Sequence, residues 1–162
     1  MHHLIAFGAI AMTALLILLL RGQLPETVAS HFNAAGVPDS FMPRDSFVTL
    51  MLVFCCGLPV LVYGLQVLVA RRGGANIPQA VYWFDPSRQA ETVRWLRLHA
   101  AWGTAGLSAF LAHTFWLTVL AHRQTPVSLP SVQFWVSLLI FLAATGVWAY
   151  AQQRRFSRVE PA

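Results

Sequence analysis

Apolar residues in this sequence come in long blocks, and the charged residues are confined to the gaps between them. Uncharged stretches run from Leu4 to Leu20 (17 residues), Phe47 to Ala70 (24), Leu98 to Leu120 (23) and Val132 to Ala151 (20). As helices rising 1.5 Å per residue they are about 25 Å long or more, close to or beyond the ~20 residues needed to cross a bilayer core. Backbone groups in lipid must be bonded within the segment, which selects helices over open strands. The pattern predicts an all-α fold: an integral membrane four-helix transmembrane bundle in one membrane domain over 1–162. Its spans are expected at about 3–20, 47–70, 96–120 and 131–151. The first run opens on Met1-His2-His3 rather than a basic segment, and Arg21 follows it directly, so we expect a retained span rather than a cleaved leader.

Composition sharpens this picture. Of 162 residues, 57% are apolar and only 10% charged, against roughly 25% in soluble domains. A soluble enzyme lacks the charges to clothe its surface at this level, and a disordered chain is never so apolar. The adjacent Cys55 and Cys56 sit inside an apolar run and report no redox compartment. All eleven cationic residues are arginines. Four spans put Arg71, Arg72, Arg88, Arg94, Arg97, Arg154, Arg155 and Arg158 on the side of the termini, and Arg21, Arg44 and Arg123 on the other. The positive-inside rule therefore predicts both termini and the middle loop in the cytoplasm, with the chain in a bacterial cytoplasmic (inner) membrane. The net charge of +5 is then anchoring charge against a lipid bilayer, and no nucleic acid is expected as partner.

Local punctuation adds detail. Ala101, Ala105, Ala109 and Ala112, with Gly103 and Gly106 alongside, give the third span a small-residue stripe for close helix packing. Asp85-Pro86 reads as an N-cap with proline in the first turn, so that helix is expected to begin there. Tyr82-Trp83-Phe84 is an aromatic cluster of the kind that settles at headgroup level. Between the first two spans, Pro25 and Glu26 suit a helix start, Gly36 and Pro38 a stop, and Leu24, Val28 and Phe32 recur every four residues. That spacing predicts a short interfacial helix in the first extracytoplasmic loop.

The chemistry on offer is sparse. His31, Asp39, His113 and His122 are the weak metal candidates on the loop side, where Glu26 and Asp45 also lie, yet there is no His-Glu-x-x-His, Cys-x-x-Cys or His-x-His spacing among them. His31, Asn33 and Asp39 fit equally well as residues that secure the loop. His99 and His113 lie fourteen residues apart on nearly one face, but Trp102, Gly106 and Phe110 stand between them instead of proton carriers. No Asp or Glu lies inside a span, which argues against an ion-coupled transporter. No nucleophile has a paired base and no phosphate loop is present, so we assign no catalytic residue, no cofactor and no enzymatic activity.

The loop residues Pro25, Val28, His31-Phe32-Asn33, Gly36 and Pro38-Asp39 resemble the motif of a domain of unknown function (number 1648) found in SdpI-type bacterial membrane proteins. Asn76-Ile77-Pro78, Tyr82-Trp83, Pro86 and Arg88 are similar to that family's next loop, with Gln79 where the family has a second asparagine. The resemblance implies a multi-pass membrane protein, here a short form without the second half. It implies immunity to, or sensing of, a secreted peptide toxin. A peptide or lipid-like ligand would then meet His31, Asn33, Asp39, Asn76, Tyr82, Trp83 and Arg88. The alternative is an accessory or scaffold subunit bound to a membrane protein partner; a metal-dependent membrane enzyme and a small transporter are more distant readings.

Overall fold

A computed structural model describes residues 2–73 and 77–158. Helix α1 (His2–Leu20) climbs from the end where the termini lie, and one 3-10 turn closes it. Two strands follow, β1 (Thr27–Phe32) and β2 (Pro38–Pro43), and α2 (Arg44–Arg71) returns. A short helix α3 (Ala80–Trp83) precedes α4 (Gln89–Ala121), and α5 (Ser131–Ser157) comes back down. The four long helices carry the four predicted spans, and all are long and apolar enough to cross a membrane. The chain is a multi-pass membrane protein. Helix α4, with 33 residues, is about 50 Å long, so it outruns the hydrocarbon core by several turns.

Helices α1, α2 and α4 pack mutually, whereas α5 lies along α4 with no comparable interface to α1 or α2. Three polar contacts or close fits register these helices. Thr13 Oγ1 donates to the Ser108 carbonyl at 3.2 Å, and Tyr63 Oη lies 2.9 Å from His3 Nδ1. Gly103 lets the Trp148 ring approach so closely that a Cβ there would stand 2.8 Å from it. The inward face of α4 is Ala100, Ala101, Thr104, Ser108, Leu111 and Phe115. The expected alanine stripe is thus only partly the packed one: Ala101 is buried, but Ala109 is exposed. Bulkier Leu111 and Phe115 fill the wider hairpin end, where Phe47, Val48, Val28 and Ile17 join them in the main core. Large apolar side chains such as Val53, Phe54, Leu61, Leu139 and Ile140 point outward, as lipid for a solvent requires.

Two expectations are corrected. The loop between α1 and α2 is a β-hairpin, not an interfacial helix. An isolated helix of this length is marginal, whereas pairing with β2 satisfies the backbone and lets Val28 and Ala29 be fully buried. The Val28/Phe32 spacing that suggested a helix also places both residues on one face of a strand. Helix α4 begins at Gln89, four residues beyond Asp85. Asp85 instead closes a turn, its Oδ1 accepting the Ser87 N–H at 2.9 Å and the Ser87 hydroxyl at 2.5 Å. That local bonding competes with helix initiation.

Candidate functional site

Asn33 makes the hairpin turn. Its Oδ1 accepts the N–H groups of Ala35 and Val37, each at 3.0 Å, and Gly36 supplies the positive φ of 81° that side-chain-bearing residues resist. The tip then docks on the start of α5: the Gly36 carbonyl accepts the Leu129 N–H at 2.9 Å. A Cβ on Gly36 would come within 2.7 Å of the Leu129 carbonyl and collide with Ser131 Oγ. The strand register pairs Val28 with Met42 and His31 with Ser40, with irregularities on both sides of His31.

His122, the residue following α4, anchors β1 from the other side. Its Nε2 accepts the Ala29 N–H at 2.9 Å. Its Nδ1 therefore carries the hydrogen and donates to the Thr118 carbonyl at 2.8 Å. Both nitrogens are committed, and the ring is the neutral tautomer. Phe32 meets the same ring edge-on at 6.5 Å between centroids. Arg44 supplements the anchor, its backbone N–H donating to the Glu26 carbonyl at 2.8 Å and its Nη1 to the Leu24 carbonyl at 3.3 Å.

Beneath the hairpin lies a cavity of about 490 Å³. Ser30, His31, Phe32, Asn33 and Ala34 form its roof; Phe47 and Met51 of α2 and Thr114 and Thr118 of α4 form its inner walls. Phe134 and Trp135 at the start of α5 close the third side, with Leu129 and Ser131 at the rim. The Thr114 hydroxyl donates to the Leu111 carbonyl at 2.8 Å and that of Thr118 to Thr114 at 3.2 Å, so both oxygens retain acceptor capacity. An aromatic-rich recess with a few oriented polar groups and this volume has the form of a small-ligand or side-chain pocket.

Of the residues singled out from the sequence, His31 and Asp39 meet at 2.6 Å across the hairpin, with 69% and 46% of their side chains exposed. A contact so exposed contributes at most about 1 kcal/mol, so it presents polar groups rather than holds the fold. Asn33 secures the turn. Neither His113 nor His122 joins the pair in a metal-holding group, and among the described residues no three His, Cys, Asp or Glu side chains do so. Tyr82, Trp83 and Arg88 lie at the opposite end of the molecule. There the Arg88 guanidinium covers the Tyr82 ring at 4.2 Å, and Trp83 Nε1 donates to the Phe156 carbonyl at 3.0 Å. Asn76 lies outside the described residues. The candidate ligand contacts therefore divide between two ends of the bundle. Sequence reasoning missed the cavity's inner walls; the one available signal was the Phe134-Trp135 pair opening an apolar span, which reads first as an interfacial belt.

The family comparison falls on the hairpin half. Residues 8–63 match the family model described as "Domain of unknown function (DUF1648)". An uncharacterized protein of Archaeoglobus fulgidus is 50% identical over 46 residues, 28% of this chain and 25% of that protein. The match thus spans a quarter of the archaeal relative's length. No solved structure is similar to the chain. From residue 8 within α1, through the hairpin and α2 as far as Tyr63, the chain is similar to this domain of unknown function.

Proposed function

We propose that this membrane protein binds a peptide or lipid-like ligand in the cavity under the hairpin and so serves peptide-toxin immunity or sensing, as in the SdpI-type proteins it resembles. The role is binding, not catalysis. The observation that carries the reading is the aromatic cavity itself, roofed by the segment that bears the family motif and opening beside the His31–Asp39 pair. On the arginine asymmetry, we place the hairpin outside a bacterial cytoplasmic membrane and both termini in the cytoplasm. A secreted amphipathic peptide would then reach the cavity without crossing the bilayer.

A photo-crosslinking residue at Trp135, which lines the cavity, compared with one at lipid-facing Leu139, tests this in the native envelope. A discrete peptide or lipid adduct formed from 135 and not from 139 supports the reading. Bulk phospholipid captured equally from both positions contradicts it. Deletion of the gene should raise sensitivity to secreted antimicrobial peptides; unchanged sensitivity where the gene is expressed removes the immunity role.

A second reading is favoured by α5, which rests on α4 and leaves a lateral groove toward α2, where Gln66 and Thr145 stand among apolar side chains. An accessory subunit would offer such a groove to a partner helix. Recovery of one stoichiometric membrane partner in mild detergent, lost on Gln66→Leu, supports that role.

A further inference from the structure

At the end of the molecule opposite the hairpin, α3, the start of α4 and the end of α5 enclose a recess of about 400 Å³. It is walled by three arginines, Arg88, Arg155 and Arg158, with Glu91 as the one carboxylate among the described residues that line it. It lies beyond the uncharged runs 98–120 and 132–151, at the depth where charged residues resume.

Aromatic rings hold two of these guanidinium groups, those of Arg88 and Arg155, without using their N–H donors. Arg155 stacks 4.9 Å over Trp95 and 5.9 Å over Trp83, and Arg88 lies 4.2 Å over Tyr82. The rings themselves are fixed. Trp83 donates to the Phe156 carbonyl at 3.0 Å, and its own carbonyl accepts the Thr92 hydroxyl at 2.9 Å. Glu91 lies 3.9 Å from Arg155 with 71% of its side chain exposed, too long for a hydrogen bond. Arg155 Nε is buried without a partner, and neither Arg88 nor Arg158 forms an ion pair among the described residues. Three forked cations converge with most of their donors unspent, which is the geometry that suits a tetrahedral oxyanion.

We propose that this recess binds an anionic phosphate group, as carried by a phospholipid headgroup or by a soluble phosphate ester. The site is independent of the ligand cavity under the hairpin. Stacking holds the guanidinium groups of Arg88 and Arg155 while their edges meet phosphate oxygens, Arg158 adds a third cation at the wall, and Glu91 weakens the site by competing for Arg155.

The test uses the full chain in detergent, with bound ligand counted by native mass spectrometry and unfolding followed by temperature. Phosphatidylglycerol is compared with diacylglycerol of the same chains, which lacks the phosphate, and with glycerol 3-phosphate, which lacks the chains. One retained phosphatidylglycerol with no retained diacylglycerol is expected. Saturable stabilisation by glycerol 3-phosphate would mark a site open to soluble esters, and its absence would mark a headgroup site. Arg88→Gln and Arg158→Gln should each weaken binding by about tenfold, Arg155→Lys should weaken it while keeping the charge, and Glu91→Gln should tighten it. Equal retention of diacylglycerol overturns the proposal. So does an equal loss from Arg71→Gln with Arg72→Gln, two exposed arginines at the same end but outside the recess.

Discussion

His122 joins two segments that are 93 residues apart in sequence, and it does so with one proton in a defined place. Replacing it by alanine leaves the buried Ala29 N–H without an acceptor, a cost of about 1–3 kcal/mol. The His122→Ala chain should show hydrogen exchange at Ala29 faster by about tenfold or more, with amides deep in α4 unchanged; equal exchange in both proteins would rule out the anchor. Asp85 is a second local case. The Ser87 hydroxyl and backbone N–H hold its carboxyl below the ordinary carboxylate range, with Arg88 adding to the effect. Because the folded value lies below the unfolded one, the turn is firmest above the unfolded value and loosens as pH falls through the folded one. Ser87→Ala should raise the titration midpoint of Asp85 toward the ordinary value, as read by carboxyl NMR shifts. Neither partnership was legible in the sequence beyond the residue types. Asp85 reads equally as helix cap or turn former, and His31 finds Asp39 only once the strand register is fixed.

At the scale of elements, the long helices were legible because a bilayer demands about 20 apolar residues for each crossing, and no competing structure explains four such runs. The hairpin was not, because a six-residue strand with two irregularities carries no clean alternation. Its period of four fits helix and strand alike. The small-residue stripe was misread for a related reason: glycine in a sequence does not say which neighbour needs the room. Gly103 and Gly106 look equivalent there, yet only Gly103 has a ring against it. Gly103→Ala should push α5 outward through Trp148, which is itself stacked on His99 at 4.0 Å, and lower stability by about 1–3 kcal/mol. Gly106→Ala meets nothing within 4 Å and should leave the unfolding temperature unchanged or slightly higher. Reversal of that order would remove the α4–α5 contact from the account. Gly36→Ala should detach the hairpin tip from α5, through both its positive φ and the Ser131 collision, and expose hairpin amides to exchange.

For the whole molecule, the sequence set out a membrane protein with one group of candidate ligand contacts, and the fold divides that group between its two ends. One carries a hairpin-roofed aromatic cavity beside the exposed His31–Asp39 contact. The other carries arginines stacked on tryptophans. The cavity was illegible because its walls come from four separate elements and only the roof bears the motif. All of this rests on the hairpin and the α3 region facing opposite compartments. Thiol labelling measures that directly. Single cysteines are placed at Ser40 in β2 and at Ser87 before α4, with Cys55 and Cys56 replaced by alanine, and a membrane-impermeant reagent is added to intact cells. Labelling at position 40 in intact cells, and at 87 only after permeabilisation, is the predicted result. Labelling of both positions from the same side would contradict it.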